Sequence, residues 1–300
     1  MPSSPSSADL EGRVVSGHGR HVVVEAADGS RLLCHGRGKK NEAVVGDRVR
    51  WQRSGDEGVV EAVLPRRNLL YRQDAWKTKA FAANLDQLLV VVAAEPVFSE
   101  SQLARALIAA QEAAIPARIV LNKQDLPSWA AAEARLAPYA AIGVEMIGVA
   151  LKKAPEQAHA RLAPLLADRT TLVLGPSGAG KSTLVNLLVR DAKAQVGEIS
   201  GALNTGRHTT TATHWYWIDP ERRSALIDSP GFQEFGLRHI AANDLTGLMP
   251  DIARHASECR FYNCTHQHEP GCGVLAAIER GEIGDSRYRI YREILAELQG

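Results

Sequence analysis

Three hundred residues are enough for two or three compact units rather than one. Lys and Arg number 35 against 34 Asp and Glu, so bulk charge argues for neither nucleic acid nor membrane as a partner. Hydrophobic residues make up 45% of the chain, and no apolar run approaches the roughly 20 residues of a membrane span. The opening MPSSPSSADL lacks the charged-then-apolar order of a secretory leader and reads as a disordered tail over residues 1–10. Three of the four cysteines crowd between 259 and 272, which suits a metal site in a reducing, cytoplasmic setting better than a disulfide framework.

From Gly12 to Leu64 short β-rich runs alternate with glycine turns: GRVVSG, HVVVEAA, SRLLCHG, DRVRWQR and GVVEAVL. Residues 26–29 and 54–58 are hairpin signals. This spacing fits a small closed barrel of the OB type over 11–70, with Cys34 as packing. A connection bearing Arg and Lys follows, 65–86. Strands and helices then alternate. Strands are expected at Gln87–Ala93, Ala117–Leu121, Gly143–Val149, Thr170–Leu174 and Ser224–Ile227. Helices are expected at Ser101–Ala114, Trp129–Tyr139, Pro155–Leu166 and Lys181–Val189. The continuous apolar strands suit a parallel sheet covered on both faces, a doubly wound α/β domain over 71–236. From about Leu237 the chain reads as a helical domain, 237–300, built around a Cys/His cluster.

Gly175-Pro176-Ser177-Gly178-Ala179-Gly180-Lys181-Ser182, with Thr183 following, has the form of a phosphate-binding loop between a strand and a helix. Its backbone N–H groups would face phosphate, Lys181 the β- and γ-phosphates, and the Ser182 hydroxyl Mg²⁺. Asp228-Ser-Pro-Gly231 follows an apolar strand, as an Asp-x-x-Gly switch should. There Asp228 would hold Mg²⁺ through water and the Gly231 N–H would meet the γ-phosphate. Between them, the Thr-rich loop 206–213 offers Thr210 or Thr211 to complete the Mg²⁺ shell. Asn122-Lys123-Gln124-Asp125 reads the base: an Asp carboxylate accepts from both N1–H and the 2-amino group of guanine, and adenine offers no such pair. The Asn side chain would contact the base edge. The usual Ser-Ala-Lys base loop has only a weak counterpart near 148–152. GTP/GDP and Mg²⁺ are therefore the expected ligands. Cys259-x4-Cys264-x-His266-x5-Cys272 offers a closed tetrahedral set for one structural Zn²⁺, with His268 competing for the imidazole position.

The base-reading tetrad precedes the phosphate loop, the order of a circularly permuted GTPase. With the small barrel and the Cys/His cluster, the chain resembles the ribosome small-subunit-dependent GTPase A (RsgA, also YjeQ) family. PRRNLL, AANLDQLLVV, GPSGAGKSTL, RHTTT and DSPGFQEFGL carry the likeness, which covers nearly everything from Gly12 onward. The resemblance selects His266 as the fourth zinc ligand. It implies a small-ribosomal-subunit partner and a late maturation or checkpoint role. The residue after Gly231 is Phe232, which cannot orient water, so His208 is the candidate for positioning the nucleophile, as the resemblance also favours. Slow intrinsic turnover, raised by a partner that orders the loop, is expected. The barrel residues Arg13, Arg20, Arg31, Arg37, Lys39, Lys40, Arg48, Arg50 and Arg53, with Trp51 among them, could face rRNA or be a solvated surface. On the last helix Tyr288, Tyr291, Leu295 and Leu298 would dock, with Arg289 and Arg292 outward. A monomer that does not engage membranes is expected. The alternative is a nucleotide-gated RNA-binding module in which hydrolysis only resets binding. A P-loop kinase or ATPase would have no use for Asn122, Lys123 and Asp125.

Overall fold

The computed structural model describes residues 10–37, 42–189, 192, 212–230, 232 and 235–300. The first five strands are β1 (Leu10–His18), β2 (His21–Ala26), β3 (Arg31–Gly36), β4 (Arg48–Ser54) and β5 (Glu57–Val63). Leu10, assigned to the tail from sequence, already belongs to β1, where it pairs with Trp51. The strands close in the order β1-β2-β3-β5-β4, with β4 returning to β1 and β3 parallel to β5, so the OB-type barrel is present. Its interior is Val14, Val22, Val24, Val49 and Val60 with Trp51. Cys34 is buried there too, and burial pushes its thiol up to about 12.

The connection after the barrel is itself structured. β6 (Leu69–Gln73) and β7 (Thr78–Ala83) form a separate antiparallel hairpin, so a boundary at residue 70 divides β6. The α/β layer follows: β8 (Gln87–Ala93), α1 (Glu100–Glu112), β9 (Ala117–Asn122), α2 (Trp129–Ala141), β10 (Glu145–Gly148), α3 (Pro155–Leu166), β11 (Thr170–Leu174), α4 (Lys181–Leu188), β12 (Thr213–Trp217) and β13 (Ala225–Asp228). The Ser99 hydroxyl accepts from the Gln102 N–H and starts α1, and Pro155 starts α3 at a position where no N–H is needed. Alternation along β8 divides the core. Leu88, Val90 and Val92 join the α1 and α2 side, whereas Leu89, Val91 and Ala93 pack with α3 and α4.

The order β10-β9-β8-β11-β13-β12-β1 joins the two layers, because β12 pairs antiparallel with both β13 and the barrel strand β1. Barrel and α/β sheet are thus one 11-stranded sheet rather than two separate pieces. The chain ends in α5 (Pro250–Ala256), α6 (Gly273–Glu279) and α7 (Asp285–Gln299). On α7, Tyr291 and Leu295 are buried, Tyr288 and Leu298 partly so, and Arg289 and Arg292 face outward, as the spacing predicts. Arg287, which sequence did not single out, is buried on α7 and forms a two-pronged pair with Asp251, at 2.7 and 3.0 Å. No described helix is long and apolar enough to cross a membrane.

Candidate guanine-nucleotide and metal sites

The change of direction in strand order falls between β8 and β11, where ligand loops gather at the carboxyl ends of the strands. The tetrad leaves β9 and the phosphate loop leaves β11. They meet at Gly180, where a Cβ would stand 2.3 Å from Asn122 Nδ2 and where φ is +107°. Only glycine meets both conditions. At the start of the loop a Cβ on Gly175 would lie 2.1 Å from the Val91 carbonyl oxygen. α4 begins at Gly180 with no side-chain cap, so its first N–H groups are available to an anion.

Asn122 is buried and spent on the protein itself. Its Nδ2 donates to the Ala179 carbonyl at 2.9 Å, and its Oδ1 accepts from the N–H groups of Lys123 at 2.7 Å and Leu151 at 3.1 Å. One amide therefore ties the phosphate loop to the 148–152 loop. That junction stands without the expected Ser, since Leu151 supplies a backbone donor. Asp125 is exposed beside it, and Lys123 donates from Nζ to the Glu95 carbonyl. Pro176 is partly buried, Ser177, Gly178 and Ser182 are exposed, and Thr183 is partly buried behind them.

Lys181 Nζ donates to the carbonyls of Gly175 and Pro176 at 2.6 and 3.1 Å. Burial lowers its ammonium pKa and raises that of the Asp228 carboxyl, and their mutual attraction offsets part of each shift. Asp228 ends β13 beside Val173 of the phosphate-loop strand. His208, Thr210, Thr211 and Gly231 lie outside the described residues. Phe232, next in sequence, is buried against Phe235, an apolar role in keeping with its expected inability to orient water.

Sequence did not reveal where the Asp-x-x-Gly segment docks. Lys79 of β7 donates to the Pro230 carbonyl at 2.6 Å, and Phe235 stacks on Phe81 with ring centroids 5.3 Å apart. The Gln73 N–H donates to Gly236, and Arg238 donates back to Gln73, each at 3.0 Å. The β6–β7 hairpin is therefore a seat for this segment.

Near the C-terminus the ligand atoms of Cys259, Cys264, His266 and Cys272 all lie within 4.8 Å of one another. Cys259 and Cys272 Sγ are 3.8 Å apart, and His266 Nδ1 is 3.4 and 3.5 Å from them. A tetrahedron with Zn–S of about 2.3 Å and Zn–N of about 2.05 Å has edges of about 3.8 and 3.6 Å, so this donor set fits zinc. Backbone N–H groups of Gly273 and Leu275 donate to the sulfurs of Cys259 and Cys272, which favours thiolates. His268 is exposed, and its N–H donates to Glu269, whose carboxylate also takes donors from Thr265 and Gln267 and so shapes the loop. Burial would raise the Glu269 carboxyl, but these hydrogen bonds hold it below its ordinary value.

The aromatic read together with the basic barrel residues is not available for stacking. Trp51 is buried in the barrel, so it is core rather than platform. Arg31 pairs with Glu25, Arg37 with Glu61 and Arg48 with Glu11, whereas Arg13 lies over the Trp215 and Trp217 rings at 4.6 and 5.3 Å. Arg20, Arg50 and Arg53 are exposed, and Lys39 and Lys40 lie outside the described residues.

The family described as RsgA GTPase matches residues 63–238. The chain is 60% identical over 293 residues to the small ribosomal subunit biogenesis GTPase RsgA of Variovorax paradoxus, covering 96% of this chain and 92% of that protein. It is 54% identical to the RsgA of Bordetella pertussis, with 97% of each covered. Among solved structures it is similar to YjeQ from Thermotoga maritima, with a TM-score of 0.70, 30% identity, and 97% and 99% of the two chains covered. It is also similar to YloQ, a circularly permuted GTPase, with a TM-score of 0.68, 27% identity, and 99% and 98% covered. With its tetrad, phosphate loop and Asp228 gathered at one sheet end in permuted order, the chain belongs to the RsgA GTPase family.

Proposed function

We propose that the protein hydrolyses GTP in small-ribosomal-subunit biogenesis, with turnover raised on the subunit. The observation that carries this is Asn122, whose amide joins Ala179 of the phosphate loop to Leu151 and leaves Asp125 at the rim of the same site. Asp125 would select guanine through its donor pair. Gly175 to Gly180 would surround the phosphates, with Lys181 moving from its own loop carbonyls to the β- and γ-oxygens. Ser182, Asp228 and Thr210 or Thr211 are the residues that would hold Mg²⁺, which when bound neutralises charge on the phosphate oxygens. The Gly231 N–H would meet the γ-phosphate, and His208 would orient the attacking water. The Cys259, Cys264, His266 and Cys272 set would hold a structural Zn²⁺, since all four positions are protein. The rRNA of the subunit is the partner this reading requires, and the protein would act as a cytoplasmic monomer.

The test is GTP turnover titrated with small subunits, large subunits and bare rRNA. Stimulation by small subunits alone is expected, and its loss in His208→Ala with GTP binding kept. Equal competition by ATP would refute the guanine assignment. Nucleotide-dependent subunit binding without stimulated turnover would instead favour a gated binding module.

A further inference from the structure

Ser16 is a fully buried hydroxyl in an otherwise apolar stretch, Val14-Val15-Ser16, just after a register shift in the β1–β2 pairing. It stands opposite His214 of β12, and His214 stands opposite Asp228 of β13. Ser16, His214 and Asp228 thus occupy one cross-strand row, running from the barrel to the carboxylate beside the phosphate loop. Side chains reinforce the row. Ser16 Oγ donates to the Thr213 carbonyl at 3.2 Å and lies 3.3 Å from His214 Nδ1. A hydroxyl has one proton, so with that proton on the carbonyl the Nδ1 atom is the donor to Ser16. The Thr213 hydroxyl in turn lies 2.8 Å from Oγ of Ser229, which is 1% exposed and follows Asp228 directly.

We infer that Ser16 and Thr213 are positioning residues for the Asp228–Ser229 turn, so that a strand of the barrel forms part of the magnesium side of the nucleotide site. This rests on the GTP reading above. A buried serine serving packing alone would affect fold stability and nucleotide affinity without regard to the metal. A serine that fixes the Asp228 turn acts where the metal contributes.

The experiment follows release of a fluorescent GDP analogue from the full-length protein, in Mg²⁺ and in excess EDTA. In the natural protein Mg²⁺ slows release. In Ser16→Ala and in Thr213→Val, release in EDTA stays within about twofold of the natural rate. The slowing by Mg²⁺ shrinks about five- to tenfold, the factor an ordinary hydrogen bond carries. Thr213→Ser, which keeps the hydroxyl, restores it. The double variant Ser16→Ala/Thr213→Val is no worse than the worse single one, because both break one connection. Unchanged Mg²⁺ slowing in both single variants would overturn the inference. So would an equal loss in EDTA and Mg²⁺, or a Thr213→Ser variant as impaired as Thr213→Val. If the natural protein failed to bind the analogue or to respond to Mg²⁺, the nucleotide reading itself would fall, and this inference with it.

Discussion

Asn122 and Asp125 stand three positions apart in one motif yet do different work. Asn122 is 4% exposed and bonded to backbone on both sides, whereas Asp125 is exposed. Asp125→Asn should therefore leave the fold intact and lower GTP affinity by about 100-fold or more, since a site built to pair the guanine donors loses its acceptors. Xanthosine nucleotides, with a carbonyl in place of the 2-amino group, should compete better in that variant, as equilibrium binding can show. Asn122→Ala strands a buried carbonyl and a buried N–H, each at about 1–3 kcal/mol, so thermal stability and GTP affinity should fall together. The tetrad was legible because base recognition needs fixed residue types at fixed spacing. The division of labour was not, because Ala179 and Leu151 approach Asn122 only after folding. Cysteines give a second residue-scale test. Cys34 has a folded pKa of about 12, above its ordinary value of 9.0. Its protonated form is thus favoured by folding, and that contribution is complete below pH 9 and lost as pH climbs toward 12. At pH 8.5 a thiol reagent should leave Cys34 untouched, and a chelator should release three reactive thiols and no more.

Among elements, the barrel, β8, β11 and α3 followed from alternation, apolar runs and caps. β12 did not. Its five residues, THWYW, begin on the last residue of the Thr-rich loop, and its barrel partner lies almost two hundred positions upstream in sequence. β6 and β7 were hidden because Arg72 and Lys79 interrupt their apolar pattern. The core position of Trp51 was missed for a related reason: among arginines it read as part of an RNA-facing or solvated surface, and only the register sets which face of the strand it occupies. The hairpin's grip on the Asp-x-x-Gly segment can be loosened at one atom. A Cβ on Gly236 would lie 2.5 Å from the Gln73 carbonyl oxygen, a backbone atom that cannot step aside. Gly236→Ala should cost on the order of 1–3 kcal/mol in denaturant unfolding. An unchanged midpoint would show that the hairpin does not hold this segment.

For the whole molecule, the C-terminal helices share one apolar core with α1 and α2, through Ile290, Tyr291 and Ile294 among others, and polar contacts cross the same seam. The Arg287 guanidinium, paired with Asp251, lies 4.8 Å from the Tyr139 ring of α2, and Arg105 of α1 meets Glu297 of α7 at 2.6 Å. Arg287→Met alone leaves Asp251 as an uncompensated buried charge and should cost about 3–5 kcal/mol, much of it recovered in the double variant Arg287→Met/Asp251→Leu. Chemical denaturation of the natural protein and the two variants checks the sign of that recovery. The continuous sheet has another consequence. An open α/β sheet presents two rows of unpaired backbone groups, each a template for another chain. Here one end rolls into the barrel, where β4 returns to β1, and the other ends in β10, only four residues long with Glu145 paired to Arg118. A variant shortened to begin after β5 would expose β12 and the Trp215 and Trp217 rings beside it. The barrel is therefore also what keeps this sheet from recruiting strands of its neighbours.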